Sequence, residues 1–592
     1  MFTNSTDESR LTLAKALMSF KKAFVGVGLM TGVINILALT GSFFMLQVYD
    51  RVIPSKSLPT LVGLMLLAGT MFAFQGVLEL IRSRLMVRLG SALDGQMSGQ
   101  VYSALMRLPL RTKINGDGLQ PLRDLDQVRS FMSSAGPTAL FDLPWMPLYI
   151  GICFLFHFWI GMAALAGAII LFTLTLLAEA RTKGPMKIAG QHAQGRQALA
   201  EATRRNNEAL QAMGFGERMG DRWSAINAEY LASHARASDV SGTLGTISRI
   251  LRLMLQSGIL AIGAYLVVLG QATGGIMIAA SIMTSRALAP IELAIAHWKG
   301  FVSARQGWSR LKQFLGMLPQ TVVSVDLENP KETLAVENVT IVPPGDRKFV
   351  VQEASFSLTK GAGLGVIGPS ASGKSSLARA IAGVWVPARG TVRLDGATLD
   401  QWTPEALGPH IGYLPQDVQL FDGTIAENIA RFEPDAPSEK ILRAAMAAGV
   451  HELIVRLPDG YDTRIGEAGN AISAGQRQRV ALARALYGDP FLVILDEPNS
   501  NLDAEGEEAL TGAIQGVRNR GGIAVVVAHR PSALASVDQV LVMAGGRVQA
   551  FGPKNEVLGK VLRPAPVPTQ PAPRQAPMQV PLKVVGTEEG TA

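Results

Sequence analysis

Gly368-Pro369-Ser370-Ala371-Ser372-Gly373-Lys374-Ser375 is a complete G-x-x-x-x-G-K-[ST] run, and its surroundings decide how the chain is read. A short apolar strand pattern, Gly365-Val366-Ile367, precedes it, and a helical pattern from Ser376 to Ala382 follows. Strand, loop and helix in that order are what a phosphate-binding loop requires. Its glycines let backbone N–H groups crowd around phosphate oxygens, and the helix N-terminus adds a favourable dipole. Lys374 can reach β- and γ-phosphates, and the Ser375 hydroxyl can ligate Mg²⁺. Gly368 to Ser376 are therefore the expected nucleotide-binding set.

Downstream, Phe491-Leu492-Val493-Ile494-Leu495-Asp496-Glu497 is an apolar run that ends in two acids. An all-apolar run of this length reads as a buried parallel strand. Asp496 is placed to hold Mg²⁺ through water, and Glu497 to orient or activate an attacking water. Phosphoryl transfer needs little beyond positioning and charge neutralisation. An Asp-Glu pair says little by itself. After a phosphate loop, at the end of an apolar strand, it points to nucleotide hydrolysis.

The chain has 592 residues, too many for a single core. Its mean hydropathy is +0.24 although 17% of residues are charged. The first half holds long charge-free runs, and the second reads as an α/β domain. A net charge of +8 admits nucleic-acid binding, but the basic residues flank apolar spans. That placement reads as membrane topology, with a lipid bilayer as the partner and no nucleic acid. The one cysteine, Cys153, excludes an intrachain disulfide and a cysteine-rich metal site, and reads as a small buried hydrophobe.

A helix needs about 20 apolar residues to cross a hydrocarbon core of about 30 Å. Ala23 to Tyr49 and Ser57 to Leu78 are two such runs. A hairpin beginning near Pro137 and ending at Ala178 supplies two more, with its turn at His157 to Gly161. Ile247 to Ala296 supplies the last pair, with its turn at Gly270 to Gly275. Six membrane helices follow. Basic residues such as Lys21, Arg82, Arg88, Lys183, Lys187 and Lys299 collect on one side of them. The positive-inside bias puts both termini and the nucleotide-binding half in the cytoplasm. The long inner loops, Ile81 to Gly136 and Glu179 to Thr246, read as polar helices that continue the spans. The first span is too long for a signal peptide and is expected to stay in the membrane. The expected organisation is an N-terminal segment (1–22), a six-helix membrane domain (23–318), a linker (319–333), an α/β P-loop ATPase (334–562) and a Pro-rich, disordered tail (563–592).

The second half resembles the ATPase of an ABC transporter. Gln416, in Tyr-Leu-Pro-Gln-Asp, resembles the family's Q-loop, which senses Mg²⁺ and contacts the membrane domain. Ile472-Ser473-Ala474-Gly475-Gln476 resembles its signature, with Ala474 where glycine is usual. Ser500-Asn501-Leu502-Asp503 resembles the D-loop, and His529 the switch histidine at the γ-phosphate. Thr463 to Gly469 resembles the X-loop of exporters. The resemblance implies ATP and Mg²⁺ as ligands. It gives catalytic roles to Glu497, His529 and Gln416, metal contacts to Ser375, Gln416 and Asp496, and nucleotide contacts to Ser473, Gly475, Gln476 and Asp503. The aromatic that usually stacks on adenine would fall near Pro343 or Pro344, where there is none. One phosphate loop and one signature imply a half-transporter that works as a homodimer.

Phe43 to Pro54 (FFMLQVYDRVIP) and Asp142 to Pro147 (DLPWMP) resemble the permease/ATPases of type I secretion systems, and Asp496 to Asp503 suits their protease- and lipase-exporter branch. Stretches near Arg111 to Leu119 and Asn206 to Arg218 match the positions of coupling helices. Only about 22 residues precede the first span. The N-terminal cysteine-peptidase domain of some relatives is expected to be absent, and no leader cleavage is expected. The implied cargo is an unfolded protein with an uncleaved C-terminal signal. The implied partners are a periplasmic membrane-fusion adaptor and an outer-membrane channel. A lipid- or drug-exporting half-transporter stays open as the alternative, and so does a regulatory membrane ATPase. Arg286, in or near the sixth span, lines water, pairs with Glu292 or contacts cargo.

Overall fold

The computed structural model describes residues 18–112, 118–318, 327–466, 469, 471–528 and 534–561. The chain divides into two compact units, Met1–Thr321 and Val322–Ala592.

The first unit is helical. Its main elements are α1 (Lys21–Leu37), α2 (Thr40–Gln47), α3 (Leu58–Arg107), α4 (Gln120–Met132), α5 (Gly136–Asp142), α6 (Met146–Phe156), α7 (Phe158–Arg205), α8 (Gly216–Val268), α9 (Gly274–Ala296) and α10 (Trp298–Leu315). Among the described residues, six helical segments are long and apolar enough to cross a membrane. Polar residues mark the turns between them. Ser57 accepts a hydrogen bond from the Thr60 N–H ahead of α3, and Thr273 accepts one from Ile276 ahead of α9. His157 is extended (φ −167°, ψ 142°), which breaks the chain between α6 and α7 where the turn was expected.

The first span is not one regular helix. It passes from α2 through a π-helical turn, Val48–Val52, which holds the Tyr49-Asp50-Arg51 part of the exit motif. Helices α3, α7 and α8 have 50, 48 and 53 residues. At 1.5 Å per residue each is more than 70 Å long, over twice the thickness of a hydrocarbon core. The inner loops therefore do extend the spans as continuous helix. The second expected coupling segment contains a short helix, Asn207–Ala212, followed by a turn into α8. Part of the first, residues 113–117, lies outside the described residues, as do 1–17, most of the expected linker (319–326) and the tail from 562.

Tyr149, Ile160, Leu171, Ile259, Met283 and Leu288 form the centre of the helical unit. Cys153 is fully buried there, 3.7 Å from the Thr284 hydroxyl, as a small core residue.

The second unit contains β1 (Thr333–Ile341), β2 (Val351–Thr359), β3 (Gly363–Ile367), β4 (Arg389–Leu394), β5 (Ala397–Thr398), β6 (Ile411–Leu414), β7 (Leu492–Asp496), β8 (Ile523–Val527), β9 (Gln539–Ala544) and β10 (Arg547–Pro553). They form an antiparallel sheet, β2-β1-β4-β5, and a six-stranded sheet, β10-β9-β3-β8-β7-β6. The latter is parallel except at its β10 edge. Helices α11 (Lys374–Ile381), α12 (Ser438–Ala447), α13 (Ala474–Leu486) and α14 (Ala504–Asn519) accompany the sheets. Every residue of β7 and β8 is buried, which is why their sequences are unbroken apolar runs. The expected strand at Phe491–Glu497 is trimmed at both ends.

Candidate nucleotide site

Between β3 and α11 the phosphate loop turns through conformations that its glycines allow. Gly368 has φ +153°, and a Cβ there would stand 2.1 Å from the Met543 carbonyl oxygen. Gly373 has φ +96°, and its Cβ would meet the Val350 carbonyl oxygen at 2.5 Å. Backbone closes on both positions, so a side chain at either would force the loop open. Pro369, Ser370 and Ala371 form the exposed crest, and Ala371 itself is left-handed at φ +63°. Ser372 is buried, and its hydroxyl has no hydrogen-bond partner among the described residues. Ser376 follows in the first turn of α11.

Lys374 is only 5% exposed. Its ammonium curls back over the loop, donating to the Gly368 carbonyl at 2.9 Å and the Pro369 carbonyl at 2.8 Å. Desolvation pushes its pKa down, and the nearby Glu497 and Asp496 carboxylates oppose that shift. A poorly hydrated cation hydrogen-bonded to two loop carbonyls is poised to exchange them for phosphate oxygens.

The Ser375 hydroxyl donates to Asp496 Oδ1 at 3.0 Å. Asp496 is wholly buried, and its Oδ2 has no partner among the described residues. Burial pushes this carboxyl up from the ordinary aspartate range; the Ser375 bond pulls it back, and Glu497 adds to the rise. Leaving a buried polar atom unpaired is costly. An idle carboxylate oxygen beside a hydroxyl, below the phosphate loop, is an oxygen donor set that fits a hard cation such as Mg²⁺.

Glu497 sits one residue past β7 at φ +51°, with its N–H bonded to the Val527 carbonyl at 3.0 Å. This left-handed turn separates the two acids: Asp496 stays in the strand and Glu497 leaves it. Gln416, in the loop after β6, donates to Glu497 Oε2 at 3.1 Å. Strand pairing between β6 and β7 brings these two residues together from 81 positions apart. Lys374, Ser375, Gln416, Asp496 and Glu497 thus form one connected group.

The other expected nucleotide contacts lie in a second group. Ser473 caps α13 and shares a reciprocal capping box with Gln476. Gly475 follows within the first helical turn. Asp503 caps α14, accepting from the Gly506 N–H at 2.9 Å, and pairs with Arg479. Gln478 donates to the Pro498 carbonyl and accepts from the Asn501 N–H at 3.2 Å. No described hydrogen bond joins Ser473, Gly475, Gln476 or Asp503 to the phosphate loop. His529 lies outside the described residues, as do 467, 468 and 470 of the expected X-loop.

Three participants were missed at the level of sequence. Gln478 and Arg479 carried no sequence signal of their own, yet both are buried and bind the signature helix to the D-loop. Arg379, not singled out in the sequence, lies over Trp385 at 4.9 Å and acts electrostatically on Asp496. The only available signal was their position just beyond the two motifs.

Residues 351–500 match the ABC transporter family, and residues 25–289 match the ABC transporter transmembrane region. The chain is 57% identical over 559 residues to the type I secretion system ATP-binding protein PrsD of Rhizobium meliloti (strain 1021), spanning 94% of this chain and 96% of the relative. It is 28% identical to the cyclolysin secretion/processing ATP-binding protein CyaB of Bordetella pertussis, over 92% of this chain and 77% of the relative. The solved structure of a bacterial Atm1-family ABC exporter with ATP bound superposes with a TM-score of 0.79 at 23% identity, covering 92% of this chain and 96% of that one. That likeness concerns the fold. With a phosphate loop, an acid pair and six membrane-length helices in one polypeptide, the chain is an ATP-binding, multi-pass membrane ATPase and belongs to the ABC transporters of type I secretion systems.

Proposed function

We propose that the chain acts as a homodimer in a bacterial inner membrane and uses ATP to export an unfolded protein bearing a C-terminal signal. It would work with a periplasmic membrane-fusion adaptor and an outer-membrane channel. The reading rests chiefly on the joining of the Lys374–Ser375–Asp496–Glu497–Gln416 group to a membrane domain, in a chain so similar to PrsD.

Lys374 exchanges its loop carbonyls for the β- and γ-phosphate oxygens. The loop N–H groups from Gly368 to Ser376 hold the remaining phosphate charge. Ser375, Asp496 and Gln416 would hold Mg²⁺, which when bound would supply charge neutralisation at the phosphates. Glu497, fixed by Gln416, orients the attacking water and takes its proton. His529 contacts the γ-phosphate. Ser473, Gly475, Gln476 and Asp503 complete the site of the partner subunit, which explains why they lie in a group of their own. Two ATP molecules then sit between two copies. Their binding closes the pair and their hydrolysis releases it, so that the spans alternate between two states of different ATP affinity.

Comparing the culture medium of wild type with that of Lys374→Ala tests the reading. One or a few proteins are expected to vanish from the medium and accumulate in cells. An unchanged medium would overturn protein export and leave lipid or small-molecule export as the alternative.

A further inference from the structure

Helix α9 is the most enclosed of the six spans. Between Ala279 and Ile295 its residues are buried except at Ile282, Ser285, Arg286, Ala289, Glu292 and Leu293. Two of these serve the bundle. Glu292 pairs with Arg252 of α8 at 2.7 Å, and Ser285 accepts from the same guanidinium at 3.2 Å. Of the alternatives open for Arg286, the pair with Glu292 is not formed among the described residues, because Arg252 takes the carboxylate. What remains is a narrow open stripe, Ile282-Arg286-Ala289-Leu293, at the four-, three- and four-residue spacing of one helix face.

Arg286 is the exposed charge in the middle of that stripe, and no ion pair joins it to any described residue. It lies 12 residues from the start of α9 at Gly274, about 18 Å along the helix, which is more than half of a hydrocarbon core of about 30 Å. A guanidinium at that depth is costly against acyl chains, so it faces water or a charged partner. Its surroundings are polar. Arg286 acts electrostatically on the Tyr149 hydroxyl, which donates to the Asn35 carbonyl at 2.8 Å. Asn35 and Arg82 both donate to Asp142, at 2.9 and 3.0 Å. Arg82 neutralises Asp142, so this network offers no free carboxylate to compensate Arg286.

We propose that the open stripe of α9 lines a water-filled cargo path, and that Arg286 contacts acidic residues of an extended polypeptide passing through it. Arg286 acts as a specificity residue that favours anionic over cationic segments. This rests on the export reading above.

The test uses the full chain in inside-out membrane vesicles, with Cys153→Ala removing the native thiol and Ala289→Cys placing one on the stripe, one turn from Arg286. A membrane-impermeant thiosulfonate is expected to label Cys at 289, and poly-L-glutamate is expected to slow that labelling about tenfold, as for a charge-assisted contact. Poly-L-lysine should not protect. Arg286→Gln should abolish the protection, and Arg286→Lys should retain it. No labelling would mean that the stripe faces lipid; protection that survives Arg286→Gln, or equal protection by both polymers, would remove Arg286 as the contact. Each of these results overturns the proposal. An unchanged medium in Lys374→Ala cells removes the export reading instead, while the labelling still reports on the stripe.

Discussion

Asp496 and Asp142 are both carboxylates drawn into the interior of this protein, and they are treated in opposite ways. Asp496 is wholly buried with one oxygen bonded to Ser375 and the other without a described partner. Asp142 has Arg82 and Asn35 on the same oxygen, and the side chains of the ion pair are only 12% and 16% exposed. The first arrangement leaves a bond unmade, which a cation can complete. The second has its charge met by a cation from a neighbouring span, tying α1, α3 and the start of the third span together. An uncompensated buried carboxylate beside a phosphate loop marks where a cation belongs; one compensated by an arginine marks a joint.

This contrast can be broken most sharply at the nucleotide site. Glu497→Gln should lower the ATPase rate about 10²–10⁴-fold, as expected for loss of a general base, while ATP binding persists. Measuring hydrolysis and nucleotide binding on the same purified sample separates the two. If Glu497 is not the base, the rate will barely move. Ser375→Ala and removal of divalent cations with EDTA should both suppress hydrolysis, and excess Mg²⁺ should restore the chelated wild type but not fully the variant.

The joint in the spans should show its effect in stability. Asp142→Leu leaves Arg82 enclosed without its carboxylate and should cost about 3 kcal/mol or more, because a broken buried pair strands a charge. Adding Arg82→Met should return much of that loss, read as thermal unfolding in detergent. A double variant no better than the single one would mean that the pair does not act as a unit.

Asp496 makes the opposite prediction. Its folded pKa lies above the unfolded value, so its ionised form costs stability at neutral pH, and that cost fades as the pH falls through the raised folded pKa towards the ordinary aspartate range. In the absence of nucleotide and metal, Asp496→Asn should unfold at a higher temperature than wild type at pH 8, and the gap should shrink towards pH 4. Hydrolysis should be lost at both. An equal or negative gap at pH 8 would contradict the idea of a strained, ligand-awaiting carboxylate.

The smallest effect belongs to the far end of α9. Thr273 caps that helix, while Asp50 accepts from the Thr273 hydroxyl at 2.6 Å and from the Gly275 N–H at 2.9 Å. Thr273→Ala should cost about 1 kcal/mol, the usual worth of an N-cap. A loss several times larger in the same unfolding assay would show that the Asp50 contact also locks the first and last spans.

Much of this protein was legible in its sequence because the relevant physics is local. A phosphate loop declares itself in eight consecutive residues, since its glycines, lysine and serine act through backbone they themselves shape. The six spans are legible because acyl chains demand about 20 apolar residues in a row. The apolar run before Asp496 is legible because a strand buried on both faces admits no polar side chain.

The tertiary structure decided what depends on contacts across the chain. Glu292 could have met Arg286, six positions away, but helix packing gives it to Arg252, forty positions away. Asp142 sits in a motif that sequence could quote, while its partners Asn35 and Arg82 come from two other spans and carry no mark of their own. Gln416 and Glu497 meet only because β6 and β7 are neighbours. The reason is physical. A residue's propensity, hydropathy and loop chemistry are fixed by nearby sequence, whereas the partner of a buried charge is fixed by which helices and strands pack side by side.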